Sequence, residues 1–542
     1  MNFSVLSSLA LLALLALRIA FNSWNRKRLP PGPRGLPILG NVLQLGATSQ
    51  LWLIFDKWKY QYGPIIYLNM AGQNIVVLNT KAAATELLER RSAIYSDRPR
   101  SIVADYLGSQ LSMPFTRYGK SWQSMRRAGH AVLNARISGQ YQPVQIEEAI
   151  ILAHSLLCDT SSPLLAKINR SASTIISVIY GKRSLSSGEP EQVFDDAPQA
   201  HTPPVYEKLH LTSDPLQTLS NIAHRFTSAV YPGAHLVELI PILDYLPVAI
   251  AKWKRDAQRD YKRISNIFER YFDDAVKSDP QRASLCVKLA DDQVASGLTD
   301  TEKSWVAGSL SVAALETTST TLSFFLHAMI LHPNIQENAQ IEIDRVVGRS
   351  RSPTSADMVH LPYVRAIVKE VLRWQPAIPL AVPHIAMEDD WYEGHFIPKG
   401  SSCIPNVWSM NRDKDVYGPD ADKFHPERFL FQPEKGAEFA LRAEYENDDG
   451  HCSYGFGRRV CVGRHVADNA LFIDICTILW ALRIEPAVST NSAARRGSSK
   501  DILNPIPNFH CRIFPRFPEA EGLLQHLRDD VVHSRTNITG GQ

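Results

Sequence analysis

The pattern of apolar and polar positions divides the chain into an apolar N-terminal stretch and a long body. From Phe3 to Phe21 almost every residue is apolar, and a membrane-spanning helix needs roughly 17–25 such residues. Three basic residues follow at positions 26–28, and basic residues beside a span favour the cytosolic side. The sequence therefore predicts a transmembrane anchor over residues 1–22. A cleaved signal peptide is the alternative, but no small-x-small cleavage site follows and the positive charge lies after the stretch.

The segment after the basic residues is rich in proline. Its prolines forbid continuation of a helix, so residues 23–40 are predicted to be a hinge. Residues 41–520 are predicted to form one large body and residues 521–542 a C-terminal tail. Three Asn-x-Ser/Thr sequences begin at Asn2, Asn169 and Asn537, and in this topology only Asn2 would face the lumen as an N-glycosylation candidate.

Helical periodicity dominates the body. Short apolar runs at Ile65–Leu68 and Asn74–Leu78, separated by Ala71-Gly72, first predict a small hairpin. The periodicity then predicts helices over Lys81–Arg91, Gly119–Leu133, Gln217–His224, Ile250–Val276, Thr299–Leu331, Ile335–Val347, Tyr363–Trp374 and Val462–Leu482. Ser184–Pro204 and Phe431–Gly450 are polar and predict surface loops. The expected fold is mainly α with small β-sheets, an α+β body without internal repeats.

Charge and cysteine usage narrow the function classes. The chain has 58 basic and 55 acidic residues, a net charge of +3, which provides no global field for binding nucleic acid. Its seven cysteines are odd in number and scattered, which argues against a disulfide framework and favours a reduced, cytosolic body. No CxxC pair or HExxH helix supports a zinc site.

One cysteine lies in an unusual setting. Cys461 occupies the segment Tyr454–Gly463, a glycine-rich turn that enters a predicted helix. Glycines let the backbone approach a flat cofactor, while N–H groups at the helix start and three nearby arginines can stabilise a thiolate. For an isolated cysteine, the alternative is a buried structural residue beside a basic surface.

This segment resembles the cysteine signature of the cytochrome P450 family, F-x-x-G-x-R-x-C-x-G. The match includes Gly457, Arg459, Cys461 and Gly463, with Tyr454 in place of phenylalanine, which keeps an aromatic ring. The resemblance extends from the proline-rich hinge to about residue 515. It implies the P450 fold and haem b (iron protoporphyrin IX), with Cys461 as the axial iron ligand whose thiolate favours O–O cleavage.

Two further motifs are similar to family patterns that support the haem. Glu370 and Arg373 resemble the E-x-x-R helix and Arg428 the downstream arginine motif, which implies a buried structural cluster. Taken alone, a Glu-Arg pair three residues apart is usually an exposed helix pair that contributes about 0.2–0.5 kcal/mol.

Four residues resemble the family's contacts with the haem propionates. Trp122 and Arg126 match W-x-x-x-R on one helix face, and His384 and Arg459 match further contacts in membrane-bound relatives. Without the cysteine signature, the expected alternatives are a core tryptophan, a solvated arginine and an ordinary loop histidine.

The long predicted helix contains a candidate proton relay. Ala313-Ala-Leu-Glu316-Thr317-Thr resembles A/G-G-x-D/E-T-T, with Ala314 in place of the common glycine. The resemblance implies that Glu316 and Thr317 are catalytic, because a carboxylate and a hydroxyl can order water and deliver protons during oxygen activation. The alternative is a threonine bonded to its own helix beside a solvated glutamate.

The resemblance also implies a substrate and redox partners. Ser101–Phe115, Ser309–Ala313, Ile378–Val382 and Pro505–Asn508 are expected to line a largely apolar pocket. The chain looks most similar to fungal members of secondary or xenobiotic metabolism, which implies oxidation of a terpenoid, steroid or polycyclic aromatic with O2. No fused G-x-G-x-x-G domain is present, so NADPH-derived electrons are expected from a separate NADPH-cytochrome P450 reductase, with cytochrome b5 as a second donor.

The expected location is the endoplasmic reticulum membrane, with a single pass and a cytosolic catalytic domain. Two alternatives remain at this point. One is a haem-thiolate isomerase or dehydratase, against which Glu316 and Thr317 argue. The other is a non-enzymatic, membrane-anchored haem or lipid-binding protein, which a fold alone never excludes.

Overall fold

The computed structural model describes residues 28–46, 50–159, 164–171, 173–181, 209, 212, 214–230, 234–278, 284–291, 293–432, 438–446, 448–487, 503, 506 and 509–537. The predicted anchor, the candidate Asn2 and the predicted loop Ser184–Pro204 lie outside these ranges. Within them, no helix combines the length and the apolar character that crossing a bilayer would require.

Helices make up most of the described chain. The α-helices are α1 (Val42–Leu45), α2 (Leu51–Tyr62), α3 (Lys81–Ala84), α4 (Ile102–Gly108), α5 (Lys120–Leu133), α6 (Ala135–Ser138), α7 (Gln142–Cys158), α8 (Leu164–Ser171), α9 (Ser173–Tyr180), α10 (Pro215–Val230), α11 (Leu236–Leu239), α12 (Lys252–Ser278), α13 (Leu285–Ala290), α14 (Asp300–Leu331), α15 (Pro333–Val346), α16 (Pro362–Trp374), α17 (Val407–Met410), α18 (Lys414–Tyr417), α19 (Arg464–Ala481) and α20 (Ala520–Asn537). A π-helix, Thr85–Arg90, continues α3. The 3₁₀ helices are Gly139–Tyr141, Pro241–Tyr245, Ser355–His360, Pro426–Phe429, Ala443–Tyr445 and Gly457–Arg459.

The strands are short. They are β1 (Ile65–Met70), β2 (Gln73–Leu78), β3 (His384–Ile385), β4 (Asp390–Tyr392), β5 (His395–Ile397), β6 (Ser402–Pro405), β7 (Leu430–Phe431), β8 (Ala440–Leu441), β9 (Leu482–Pro486) and β10 (Cys511–Pro515). The predicted hairpin is the antiparallel pair β1–β2, and the predicted helices are present with shifted ends. The largest shift is at α10, which extends beyond the predicted Gln217–His224 at both ends.

The described residues group into two compact units. The first contains the described residues up to Pro99, together with Pro379–Asp413 and Gly455–Val460. The second contains those of Arg100–Ile378, Lys414–Tyr454 and the chain from Cys461 onward.

The first unit is built on a four-stranded sheet. The strand order is β1-β2-β6-β3, in which β2 pairs in parallel with β6 and the other pairs are antiparallel. Leu68 and Val77 of the hairpin are fully buried and pack with Phe55 of α2. Ile66 also belongs to this cluster, so side chains at alternate positions of β1 pack on the face where α2 lies.

The second unit is organised around the long helix α14. The helix begins with a capping box, because the Thr299 hydroxyl accepts from the Glu302 N–H while the Glu302 carboxylate accepts from the Thr299 N–H. It approaches α12 closely at Gly308, where an added Cβ would lie 2.4 Å from the Phe268 ring. It ends at Leu331, before Pro333 begins α15. Glycine at position 308 is thus a packing requirement.

Helices α7 and α16 pack against α19, which is buried along most of its length. Ile473, Leu479 and Trp480 of α19 are fully buried in the same apolar cluster as Ala153 and Val371. Because α19 follows Cys461 directly, this packing gives the cysteine a rigid support on the C-terminal side.

Candidate active site

A sharp glycine-rich turn precedes Cys461. Gly455 and Gly457 adopt φ values of 76° and 55°, which glycine alone adopts without strain. An added Cβ at Gly457 would also lie 2.0 Å from the carbonyl oxygen of Leu88. In the second unit, the N–H of Cys461 donates to the carbonyl oxygen of Tyr454 at 2.8 Å. The backbone conformation thereby fixes the position of the cysteine.

The surroundings of the Cys461 thiol act on its pKa in opposite directions. Desolvation raises the pKa, while a hydrogen bond from the Gly463 N–H and the charges of Arg126 and Arg464 lower it. Asp468 adds to the increase. Cys461 as a whole residue is nevertheless exposed. An N–H donor and two guanidinium charges that favour the anionic sulfur suit a thiolate ligand.

Helix α5 brings Trp122 and Arg126 into the same unit as Cys461. Trp122 is buried and packs on Tyr118, with ring centroids 5.4 Å apart. Burial lowers the pKa of Arg126, and the charge of Cys461 opposes this effect. One turn further along, a Cβ at Gly129 would lie 3.8 Å from the Val462 side chain. The face of α5 that carries the predicted W-x-x-x-R pair therefore lies close to the cysteine segment.

The other two predicted propionate contacts, His384 and Arg459, meet in the first unit. The Nδ1 atom of His384 lies 2.7 Å from the carbonyl oxygen of Tyr95, and the Arg459 Nε donates to the carbonyl oxygen of Ser96 at 2.8 Å. The pKa of His384 is well below its usual value because of burial and the positive charges of Arg98 and Arg459. Two buried cations beside a neutral histidine create a positive field that suits a carboxylate ligand.

Arg98 is a candidate that sequence reasoning missed. Its side chain is 5% exposed, and its Nη1 donates to the carbonyl oxygens of Val382 and Pro383 at 2.7 and 2.8 Å. These bonds hold the guanidinium beside His384. The sequence carries no comparable signal, since Arg98 stands in a short Asp-Arg-Pro loop without periodicity.

Each unit, taken by itself, carries groups of a kind that the implied cofactor needs. A flat porphyrin needs a soft anionic ligand for its iron and cationic donors for its two carboxylates. The second unit provides the sulfur with its supporting N–H and guanidinium groups, and the first provides Arg98, His384 and Arg459.

Glu316 and Thr317 lie in the middle of α14 but make separate contacts. Thr317 donates from Oγ1 to the carbonyl oxygen of Ala313 at 2.9 Å, one turn back along its own helix. The Glu316 Oε1 accepts from the Ser220 hydroxyl at 3.0 Å and lies 3.5 Å from the Nε2 of His224, both on α10. The back-bonded threonine is the alternative considered from the sequence, whereas the glutamate is directed at a second helix.

The structure brings Glu370, Arg373 and Arg428 into one buried cluster. Glu370 accepts from Arg373 Nε at 2.6 Å and Nη2 at 2.7 Å, and from Arg428 Nε at 3.1 Å. The same carboxylate accepts from the His425 N–H at 2.7 Å. Arg373 also donates to the carbonyl oxygen of Ala421 at 2.6 Å. Both Glu370 and Arg373 are fully buried, so this cluster is not the exposed helix pair that the spacing alone would suggest.

Comparison with known proteins agrees with these features. The sequence profile described as Cytochrome P450 matches residues 30–512. A cytochrome P450 monooxygenase of Armillaria gallica is 41% identical over 536 residues, covering 97% of this chain and 96% of the relative. Another from Postia placenta is 40% identical over 537 residues, with 97% and 96% covered, and one from Amanita muscaria is 37% identical over 574 residues, with 96% and 97% covered. The chain therefore belongs to the cytochrome P450 family and is a P450 monooxygenase.

Proposed function

We propose that this monooxygenase inserts one oxygen atom from O2 into a hydrophobic small molecule of secondary or xenobiotic metabolism, such as a terpenoid, steroid or polycyclic aromatic. Electrons come from NADPH through a separate reductase, with cytochrome b5 as a second donor. The observation that carries the substrate class is the exposed Ala313 in the middle of α14, together with the partly buried apolar side chains of Phe115 and Val312. The redox partners and the pathway class rest on the resemblance to fungal family members.

Exposure is uneven along the part of α14 that is predicted to line the substrate pocket. Ala313 is exposed although it lies in the middle of a helix where Ser309 and Ser311 are buried. The segment 101–115 borders the same part of the helix, because the Met113 N–H lies 3.4 Å from Ser309 Oγ. Phe115 and Val312, from the two predicted pocket segments, are partly buried apolar side chains. A lining of this kind favours an apolar ligand with few polar contacts.

The candidate residues have proposed roles in cofactor binding and in proton delivery. Haem, when bound, supplies the centre for O2 reduction and oxygen-atom transfer. Cys461 is the proposed iron ligand, and Thr317 with Glu316 the proposed proton-delivering groups. The proposed propionate contacts are Trp122, Arg126, His384, Arg459 and Arg98.

A second apolar surface supports membrane association of the body. Between Leu236 and Ile250, seven large apolar side chains are exposed, including Ile242 at 71%, Tyr245 at 88% and Ile250 at 71%. Exposed apolar patches mark interaction sites, and a lipid surface would also supply lipophilic substrates. We therefore propose endoplasmic reticulum attachment through both the predicted N-terminal anchor and this segment.

Vesicle binding tests the attachment. Protein that lacks residues 1–28 is expected to retain weak, salt-resistant binding to phosphatidylcholine vesicles, and the double substitution Ile242→Glu/Ile250→Glu should remove it. Val359→Glu is the matched control, because Val359 is 69% exposed but lies outside the segment. Equal binding by the double variant and the control would contradict a membrane role for the segment.

The reaction is tested by incubating the protein with a reductase, NADPH and a panel of lipophilic compounds. The expected result is a product heavier by one oxygen atom, formed only when NADPH and reductase are both present. Cys461→Ala is expected to lose both the product and the reduced, carbon-monoxide-bound absorption band of thiolate ligation. A product that forms without NADPH would instead support an isomerase or dehydratase. A normal absorption band in the variant would assign the ligand elsewhere.

A further inference from the structure

Tyr454 stands where the family's cysteine signature has phenylalanine. Its hydroxyl has a specific partner. Its Oη donates to the Asp468 carboxylate at 2.5 Å. Its backbone carbonyl accepts from the Cys461 N–H at 2.8 Å, so the same residue contacts both the cysteine and the aspartate. A phenylalanine at this position would keep the ring and the carbonyl but lose the bond to Asp468.

Asp468 lies in the first half of α19, the helix that follows Cys461. Desolvation raises the pKa of Asp468 to about 6, while the Tyr454 hydrogen bond lowers it. The negative charge of this carboxyl group is one of the causes that raise the pKa of Cys461. A charge at this position therefore acts directly on the electrostatic environment of the sulfur.

The other charged groups around Asp468 come from three elements. Lys369 on α16 and Arg464 on α19 favour the ionised form of Asp468. Asp449, in the loop before Tyr454, disfavours that form. The Lys369 ammonium donates to the carbonyl oxygen of Asp448 at 2.8 Å, which fixes its position. Two cations, one anion and one hydroxyl therefore influence the charge of this single buried carboxyl group.

We propose that Tyr454 and Asp468 are positioning residues that adjust how strongly the Cys461 thiolate donates to the iron. The Tyr454 hydroxyl holds Asp468 as a carboxylate, whose negative charge opposes the arrival of an electron at the cofactor. One-electron reduction by the reductase is therefore less favourable when Asp468 is ionised. The inference rests on the proposed ligand role of Cys461.

The test is the midpoint potential of the ferric/ferrous couple in the haem-loaded full-length protein, measured from pH 5 to pH 8. In the unaltered protein the potential should fall as pH rises through about 6. In Asp468→Asn this fall should be absent, and the potential at pH 7.5 should lie above that of the unaltered protein. In Tyr454→Phe the fall should occur at higher pH, because the carboxylate has lost its donor.

Two controls separate this proposal from simpler ones. Asp530→Asn removes one negative charge from an exposed position on α20, and it should leave the potential unchanged. If the unaltered protein lacks the thiolate absorption band, the ligand assignment fails. If the band is present but Asp468→Asn and Asp530→Asn give the same pH profile, the pair is only structural and the proposal is wrong. Loss of stability without a change in the profile would lead to the same conclusion.

Discussion

The buried cluster around Glu370 offers a quantitative test of how the core of the second unit is stabilised. Glu370 and Arg373 have no exposed side-chain surface, and Arg428 has 7%. One carboxylate therefore faces two guanidinium groups in a region without solvent screening. The substitution Glu370→Gln keeps the shape of the side chain and removes its charge, which leaves both arginines opposite a neutral amide.

The expected cost follows from this geometry. Removing one partner of a buried ion pair costs about 3–5 kcal/mol, because the remaining charge is desolvated without compensation. The carbonyl oxygens of Ala421 and Lys423 still accept from Arg373 at 2.6 and 2.8 Å, so the lower part of that range is expected. A loss of about 3 kcal/mol lowers the folding equilibrium constant more than a hundredfold, a large part of the roughly 5–15 kcal/mol available to a folded protein.

Urea denaturation measures this loss, with the thiolate absorption band and far-ultraviolet circular dichroism recorded on the same samples. The control is Asp273→Asn, which removes one negative charge from an exposed pair with Lys277 on α12. Such pairs contribute about 0.2–0.5 kcal/mol, so the control should shift the transition slightly. If Glu370→Gln stayed within about 1 kcal/mol of Asp273→Asn, uncompensated burial would not be the dominant contribution and the reasoning would fail.

Two further predictions concern proton delivery and pH. Thr317→Ala should retain the haem spectrum and much of the NADPH consumption but release more hydrogen peroxide per product. Simultaneous assay of NADPH, peroxide and product checks this, and unchanged coupling would contradict a relay role for Thr317. Glu342 accepts from the N–H groups of Tyr363 and Val364, yet desolvation raises its pKa to about 7 from 4.5. The folded state then holds a proton that the unfolded state has lost, so stability should fall by at most about 3 kcal/mol between pH 4.5 and 7 and stay constant above. Glu342→Gln should lack this slope in urea denaturation, and an unchanged slope would assign the effect to another group.

The elements that could be predicted are those whose signals are local. Helix α14 begins at the Thr299–Glu302 capping box and ends just before Pro333, and both signals stand in the sequence. The hairpin β1–β2 turns at Ala71-Gly72, where Ala71 itself adopts φ 50°. In each case a few neighbouring residues determine where the element begins or ends.

The missed elements depend on distant parts of the chain. Helix α7 buries Ala149, Leu152 and Leu156 together with the polar Glu148, so it lacks a clear polar face and its periodicity is weak. Helix α20 lies almost wholly in the segment 521–542 that the sequence predicts to be a tail, and the helix is largely polar and contains Gly522. Its packing on α7 buries Leu524 completely and thereby supplies the stability that local propensity does not.

The geometry of the candidate proton relay could not be predicted from the sequence either. Its two residues are adjacent in sequence, but their side chains point in different directions. Neighbouring residues on an α-helix point about 100° apart, so Glu316 and Thr317 cannot face the same spot at rest. The structure agrees, since Thr317 bonds along α14 while Glu316 bonds to Ser220 on α10. His224, 53% exposed, lies 3.5 Å from the same Glu316 oxygen and links that carboxylate to bulk solvent. For the two residues to serve one proton route, Glu316 must turn away from α10, or water must connect the two directions. In the proposed relay, the contacts with α10 would therefore limit proton delivery by Glu316, a constraint that the motif alone does not contain.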